Sequence, residues 1–513
     1  MPALTLHHRF WPPGRPFSLD YPQRSLYENL SLSARRKPGH PMLVFYEGSI
    51  SYGEGLAQVD ALAGWLQREC GVQRGDRVLL YMQNSPQWVL AYYAILRADA
   101  MVVPVNPMLL DDEVAHLAAN SGARVAIAAE DLAAHLGQAG LAHLVLVRYA
   151  DCIGHPPAPR TPASLLADPV DIASLGRRLT GVRIARWVDA LAAGIEPGPH
   201  LAGPDDLAVL PYSSGTTGKP KGCIHTQRDM VYTAASNCGI SLRFEPDTVF
   251  LSFFPQFWIA GENAGLIFPV FGGATLVLMS RWDPVGVMAA IQRYRVTTMA
   301  MPVDGAVELM DHPRFSEFDL GSLRQVRVVS FVKKLNVEYR RRWRELTGGV
   351  LAESSWGMTE THTSDTFTTG FQDDDFDLGV QPVFVGLPVP GAEFKICDFD
   401  TGELEPLGVE GEILVRTPSL LKGYWNKPEA SAQALVGGWL RTGDIGVIDE
   451  SGFLHYLGRR KEMLKVKGMS VFPPEIEAVL GQHPAVTGSG VIGRPDPERG
   501  EVPVAFVTLA PRA

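Results

Sequence analysis

Disulfide chemistry is the first thing this sequence has little material for. Its five cysteines (Cys70, Cys152, Cys223, Cys238, Cys397) stand singly in 513 residues, with no CxxC pair and an odd total. That pattern excludes a disulfide framework and a thiolate zinc site, and it favours a reducing compartment. Long apolar runs are missing as well: nowhere do about 18 apolar residues follow one another, so no membrane-spanning helix is expected. The N-terminal stretch MPALTLHHRFWPPGRPF lacks the apolar h-region of a signal peptide. A cytoplasmic protein is the expectation. Positive charge is also in short supply, with 46 Lys+Arg against 56 Asp+Glu, a net charge of −10 and a pI near 5.7. A field of that sign attracts no phosphate backbone, which makes nucleic-acid binding a poor hypothesis. An anionic ligand would need a local site of backbone amides and a few chosen cations. The histidines form no metal-ligand constellation, and no internal repeat is present.

What the chain does have is the composition of an ordinary globular enzyme, 46% hydrophobic and 20% charged. Its length suggests three to four compact units at roughly 150 residues each. Ser25-Leu-Tyr-Glu28 has capping-box spacing and opens an apolar helix, and Leu56, Val59, Leu62 and Leu66 fall on one helical face. Runs of strand character follow at Arg77–Tyr81, Ala123–Ile127, Leu144–Val147 and Val296–Ala300. Apolar strands separated by helical stretches predict parallel sheets covered by helices. Residues 153–203, rich in Pro, Ala and Gly, read as loops and short helices. After about Gln381 the segments Glu393–Ile396 and Glu412–Val415 suggest a small β unit. Beyond the charged connector Gly458–Lys465, Pro473-Pro-Glu475 starts a helix whose Ile476, Val479 and Leu480 are expected to face a core. Strand-like Val504–Val507 comes near the end.

The most informative segment is Tyr212-Ser-Ser-Gly-Thr-Thr-Gly-Lys-Pro-Lys-Gly222, preceded by apolar Leu207–Leu210. Its glycines let the backbone turn amides toward an anion. Ser213, Ser214, Thr216 and Thr217 add hydroxyl donors, and Lys219 and Lys221 add charge. A Walker A loop is excluded, because Pro220 follows Gly218-Lys219 where that loop needs Ser/Thr running into a helix. Gly488-Ser-Gly-Val-Ile-Gly493 matches GxGxxG, but Arg494-Pro-Asp-Pro497 after it cannot open a dinucleotide-binding helix.

The 212–222 segment resembles the signature loop of the adenylate-forming superfamily, which holds acyl-CoA synthetases, peptide-synthetase adenylation domains and firefly-type luciferases. The resemblance runs along nearly the whole chain in the expected order. Ser51–Glu54, Leu96–Ala100 through Pro104 and Pro107, and Trp356-Gly-Met-Thr-Glu360 resemble successive family motifs. Gly411-Glu412 with Gly423-Tyr-Trp425, then Trp439 with Thr442-Gly-Asp444, follow. Gly458-Arg459 through Lys465 and Gly468 to Pro473 and Glu475 resembles the hinge region.

What the resemblance implies is an α/β fold: a large N-terminal domain over 1–460, with two helix-flanked sheets and a small β-barrel, and a small α+β C-terminal domain over 461–513 after hinge Glu462. The implied activity is an ATP-dependent acyl-CoA synthetase that forms an acyl-adenylate, releases pyrophosphate and passes the acyl group to CoA. The resemblance assigns Ser213, Ser214, Gly215, Thr216, Thr217, Gly218, Lys219 and Lys221 to the triphosphate loop. Trp356 and Gly357 then lie against adenine, Thr359 at the α-phosphate or substrate carboxylate, and Glu360 on Mg²⁺. Asp444 would accept from both ribose hydroxyls, Arg459 donates to the same region, Lys465 joins the nucleotide set, and Gly468 lines the pantetheine route. Chemistry of this kind rests on positioning and charge stabilisation, with Thr216, Lys221, Thr359 and Glu360 closest to the reaction.

The acid should lie beside Phe254-Pro-Gln-Phe-Trp-Ile-Ala-Gly261, with Trp258 where many relatives carry histidine, and with Gly261, Phe331 and Val332 shaping the pocket. That apolar neighbourhood favours a medium- or long-chain fatty acid. The alternatives are an aryl-CoA ligase with Phe331 and Trp258 sandwiching a ring, or a nucleotide-binding relative without catalysis. The last arises because the family's C-terminal catalytic lysine has no counterpart before Ala513, and a C-terminal domain that appears truncated is the expectation. His225 and His362 read as loop or pocket residues and Asp304 as a loop residue. The partners implied are a carboxylic acid, ATP and CoA; a homodimer is left open.

Overall fold

The computed structural model describes residues 5–154, 160–213, 220–330, 333–362, 364–380, 384–466, 469–481, 483, 485–496 and 499–509. Its organising element is the helix Pro86–Arg97, all twelve residues of which are buried. Ser85 caps it, accepting from the Trp88 amide at 3.2 Å, and Pro86 occupies the first turn, where its missing N–H costs nothing. A helix apolar on every side has to be enclosed. Here it shares one hydrophobic core with strands of two different sheets, touching Val78 and Leu80 on one side and Phe250, Leu276 and Leu278 on the other.

Both sheets have seven strands. In the first, the order is Val350–Glu353, Gln325–Val329, Thr298–Pro302, Val249–Ser252, Thr275–Leu278, Pro41–Phe45 and Gly48–Ser51. All pairings are parallel except the last. The second runs His225–Thr226, Leu207–Val209, Met101–Pro104, Arg77–Tyr81, Val125–Ala129, His143–Val147, Arg183–Arg186, again parallel save at the His225–Thr226 edge. Near-continuous apolar strands such as Val125–Ala129, buried at every position, are what a sheet covered on both faces requires. The expected strands are all present. One more appears inside 153–203, a stretch expected to hold only loops and short helices: Arg183–Arg186 extends the second sheet, its three arginine and isoleucine side chains too polar in pattern to signal a strand.

The anticipated capping box forms, and the structure adds a second. Ser25 and Glu28 exchange bonds of 2.7 and 3.2 Å to open Leu26–Arg36. Ser51 and Glu54 do the same, at 2.8 and 3.3 Å, for Tyr52–Arg68, so the first family-like motif is also a helix start.

The small β unit is an antiparallel five-stranded sheet built on Trp439–Ile448, flanked by Gly411–Arg416 and Leu454–Arg459. A last four-stranded sheet joins Met469–Val471, Leu464–Val466, Gly500–Leu509 and Val486–Asp496, with the helix Pro473–Leu480 beside it. The GxGxxG run lies within strand Val486–Asp496, in keeping with its exclusion as a dinucleotide motif. The helix forms where expected, but Val479 does not face a core. It is 66% exposed, because the helix is only eight residues long and has the sheet on one side. Asp304 is also corrected: it sits in the first turn of helix Val303–Asp311, not in a loop, where the positive end of the helix favours a carboxylate. No helix among the described residues is long and apolar enough to cross a membrane.

Candidate functional site

Two short strands bring the flanks of the hydroxyl-rich segment together: Lys221 pairs with Ser213 and Gly222 with Tyr212. Ser214, Gly215, Thr216, Thr217, Gly218 and Lys219 lie outside the described residues. The hairpin is anchored from both sides. The Tyr212 hydroxyl donates to Asn120 Oδ1 at 2.7 Å, and the Trp425 indole donates to the carbonyl of the same asparagine at 3.1 Å. Gly423-Tyr424-Trp425 runs beside 222–224 through Ile224 N to Gly423 O and Trp425 N to Gly222 O. This register lays the Tyr424 ring under Lys221, whose Nζ is 4.9 Å from the ring centroid. The Tyr424 hydroxyl then donates to Glu360 Oε1 at 3.0 Å. Burial and the neighbouring Glu360 carboxylate raise the Tyr424 phenol above its ordinary value. Tyr424 therefore links two expected site residues that are 139 positions apart in sequence, and only its place in a glycine–aromatic motif hinted at it.

Thr359 and Glu360 occupy a single 3₁₀ turn, Thr359–Thr361, closed by His362 in the left-handed region at φ +58°. Buried polar groups hold this turn. His225 Nε2 lies 2.8 Å from the Thr359 carbonyl, and Asn263 Nδ2 donates to the His362 carbonyl at 3.1 Å. His362 Nε2 stands 3.3 Å from Glu262 Oε1, which also accepts from the Tyr92 hydroxyl at 2.9 Å. Burial raises the Glu262 carboxyl to about 8 and holds the His362 imidazole well below its usual value, so both are neutral partners near pH 7. Glu262, His225, His362 and Tyr92 thus position the Thr359–Glu360 turn. Sequence had marked the histidines only as loop or pocket residues, and Glu262 carried no signal of its own.

A third group forms where the Trp356 loop meets the five-stranded sheet. Asp444 and Arg459 are direct cross-strand partners, with Nε 3.0 Å from Oδ1 in an ion pair. The other carboxylate oxygen, Oδ2, accepts from the Trp356 indole at 3.1 Å. Gly443, at φ +71° within strand Trp439–Ile448, makes the irregularity in register that precedes Asp444, and its amide donates to Glu412 Oε1 at 3.0 Å. Burial lifts the Asp444 carboxyl to about 6 against the pull of Arg459. Gly357 lies between Trp356 and the Thr359 turn, in the loop that joins this group to Glu360. Lys465 is not part of it. Lys465 is exposed on strand Leu464–Val466 of the smaller sheet, where its amide donates to Glu501 Oε2 at 2.7 Å. Gly468 lies outside the described residues.

On the acyl side, Trp258 is 53% exposed, so it is no core residue. It caps the short helix Ile259–Glu262, and Gly261 is obligatory there: a Cβ would stand 1.9 Å from the Pro255 carbonyl oxygen. Trp258 and Ala260 line two cavities at once. One, of about 810 Å³, is bounded by Tyr212, Ser213, Pro220 and Thr359. The other, of about 250 Å³, is walled by Phe250, Phe254, Phe268 and Leu242, with Ser354 and Ser355 leading toward Trp356. Phe331 and Val332 lie outside the described residues. The preceding Ser330 is clamped by Glu353, whose Oε2 accepts from the serine hydroxyl at 2.5 Å. Burial raises the Glu353 carboxyl to about 7.

A cleft with a lysine-bearing hairpin on one wall, a buried carboxylate turn at its base and an apolar chamber behind a tryptophan can hold a polyanion against a carboxylic acid. Glu360 offers a hard oxygen donor, and magnesium is commonly held by one carboxylate plus substrate phosphates, so the donor set fits that ion.

Known proteins resemble this chain over most of its length. Residues 30–425 match the model of the AMP-binding enzyme family, and residues 475–513 match the AMP-binding enzyme C-terminal domain. A long-chain-fatty-acid–CoA ligase of Bacillus subtilis strain 168 is 29% identical over 97% of this chain and 88% of its own. A 4-coumarate–CoA ligase of Oryza sativa subsp. japonica is 30% identical over 90% of this chain and 78% of its own. Among solved structures, an anthranilate CoA ligase in complex with anthranoyl-AMP superposes with a TM-score of 0.79 at 26% identity, covering 96% of this chain and 88% of that one.

Proposed function

The chain belongs to the AMP-binding enzyme family and is an AMP-forming acid–CoA ligase, and from that premise we propose that its acid is a medium- or long-chain fatty acid. The observation that carries this reading is Trp258 lining both the large cleft and the apolar cavity, so that an acid lodged in the cavity presents its carboxylate toward Thr359. The relatives named for long-chain fatty acids support it.

In the first half-reaction a carboxylate oxygen attacks the α-phosphorus of ATP and pyrophosphate leaves. In the second, the CoA thiol attacks the acyl carbon and AMP leaves. Lys221, with the hydroxyl-bearing segment Ser213–Thr217, Gly218 and Lys219, cradles the triphosphate. Thr359 meets the reacting carboxylate or α-phosphate, Trp356 and Gly357 lie against the base, and Asp444 and Arg459 engage the ribose. Magnesium, held by Glu360, would supply charge neutralisation at the phosphates. Tyr424 holds the Glu360 carboxylate in place through Oε1. The domain division falls at 460/461 with Glu462 as pivot, and Lys465 and Gly468 enter the cleft in the CoA-transferring state. A cytoplasmic location accords with five free cysteines.

Pyrophosphate release in the presence of CoA tests this. Turnover of hexadecanoate but not benzoate supports the proposal; turnover of benzoate alone assigns the cavity to aryl acids instead.

A further inference from the structure

Three arginines of the described chain are buried: Arg97, Arg327 and Arg340. Two have carboxylate partners. Arg97 meets Asp60 at 3.2 Å, and Arg340 meets Asp375 and Asp377 at 2.8 and 2.7 Å. Arg327, 7% exposed, has none among the described residues. Its guanidinium donates to the Thr368 hydroxyl at 3.0 Å and to the Ser241 carbonyl, two neutral acceptors. The nearest cation makes matters worse, since Arg15 reaches the adjoining Ile240 carbonyl and stands close enough to disfavour the charge on Arg327. The nearest carboxylate, Asp377, is committed to Arg340.

Arg327 lines the apolar cavity described above, and so do Ser241 and Thr368, the two residues its guanidinium bonds. Arg327 lies in the middle of strand Gln325–Val329, and its register partners on both sides are alanines, Ala300 and Ala352, which leave room over the sheet. A buried guanidinium has five donors and a planar fork suited to a carboxylate, and leaving it without a counter-charge is expensive. In an apolar ligand chamber, the few polar groups present are the ones that orient the ligand.

We propose that the acid this enzyme activates carries a second carboxylate at its far end, received by Arg327, so that the substrate is an aliphatic dicarboxylic acid converted to its mono-CoA thioester. The proposal rests on the acid–CoA ligase reading and amends the fatty-acid one: the aliphatic chain ends in a second carboxylate instead of a methyl group, so a monocarboxylate is turned over more slowly than the favoured diacid. One carboxylate lies beyond Trp258 at Thr359 and becomes the acyl-adenylate; the other stays ionised against Arg327, while the methylene chain lies against Phe250, Phe254 and Phe268.

The test is pyrophosphate release with CoA across the dicarboxylates from butanedioate to dodecanedioate, each against the monocarboxylate of equal length and against its own monomethyl ester. The expected result is one length of dicarboxylate favoured over its monocarboxylate by about 10²-fold in kcat/KM, with the uncharged ester falling between them. In Arg327→Met that preference should vanish while the monocarboxylate rate holds or rises. The comparison within the wild-type enzyme stands even if this variant does not fold. Equal use of monocarboxylates and dicarboxylates at every length overturns the proposal and leaves the ligase reading intact, with Arg327 merely tying Ser241 to Thr368. Failure to turn over any acid of either series overturns both this proposal and the fatty-acid one.

Discussion

The two sides of the cleft are built in different ways. On the nucleotide side, the candidate contacts come from short motifs, each presented by one local backbone feature: Lys221 by a hairpin, Thr359 and Glu360 by a 3₁₀ turn, and Asp444 by the kink that Gly443 puts in strand Trp439–Ile448. On the acyl side, the segment Phe254–Gly261 supplies only the mouth with Trp258, and the cavity behind it is assembled from single residues of separate strands, Phe250, Ala300 and Arg327 among them. A site made from motifs keeps its chemistry as long as each turn keeps its shape. A site made from a sheet face changes its specificity with each side chain.

That difference predicts steep losses on one side and redirected selectivity on the other. The largest effects belong to Asp444→Asn and Glu360→Gln. Each removes a preorganised charge contact, and pyrophosphate release should fall on the order of 10²–10³-fold, about 2–4 kcal/mol of barrier. Rates indistinguishable from wild type in both variants would put the nucleotide elsewhere.

Acidity should expose the same carboxylate. Burial raises Asp444 from 3.8 to about 6, so it is protonated below that pH and cannot accept from two ribose hydroxyls. kcat/KM for ATP should therefore rise about tenfold per pH unit up to about 6 and then level. The linkage to stability has the opposite sign. Between 3.8 and about 6 the folded state keeps a proton that the unfolded chain has released, so this group's contribution falls as pH rises. A pH–rate profile of Asp444→Asn that retained the acid limb would assign the limb to another group.

Tyr424→Phe keeps the ring beneath Lys221 but removes the hydroxyl that holds Glu360. A loss of about tenfold in kcat/KM for ATP is expected, the scale of one hydrogen bond to a charged group. Trp258→Ala tests the acyl side. As the indole is half exposed, stability should change by less than about 0.5 kcal/mol while the preference among chain lengths shifts by about 3–10-fold. A changed KM for ATP with the chain-length preference unaltered would argue against a place for Trp258 at the mouth of the acyl cavity.

The smallest effect is expected in the layer beneath. Glu262 is fully buried and titrates at about 8 in the fold against an ordinary 4.5, so the protein loses stability as pH climbs through that interval. Glu262→Gln should flatten that slope and leave the variant about 1–2 kcal/mol more stable above pH 8, read by thermal melting.

Legibility followed the same divide. The strands, the capping box at Ser25 and the helix starting at Pro473 were readable because their signals are local: short apolar runs, a serine three residues before a glutamate, a proline in a first turn. Trp356, Asp444 and Glu360 stood out as candidates because each sits inside a short motif, and the structure joins the first two by a hydrogen bond. Tyr424 was half visible, as part of a motif without a stated role. Arg183–Arg186 was not, since its polar side chains hid a strand that only the neighbouring His143–Val147 makes sense of. Val479 misled because a helical period says which residues share a face, not whether anything covers it.

By itself, then, the order of residues determined the class of fold, the family and the kind of reaction that family carries out, since the motifs behind them are written in neighbours a few positions apart. Tertiary structure alone decided that Tyr424 bridges Lys221 to Glu360, that two histidines and Glu262 brace the Thr359 turn, and that Arg327 lacks the acidic partner the other two buried arginines have. Charge pairing and enclosure depend on which strands and loops end up side by side, and no local stretch of sequence carries that information.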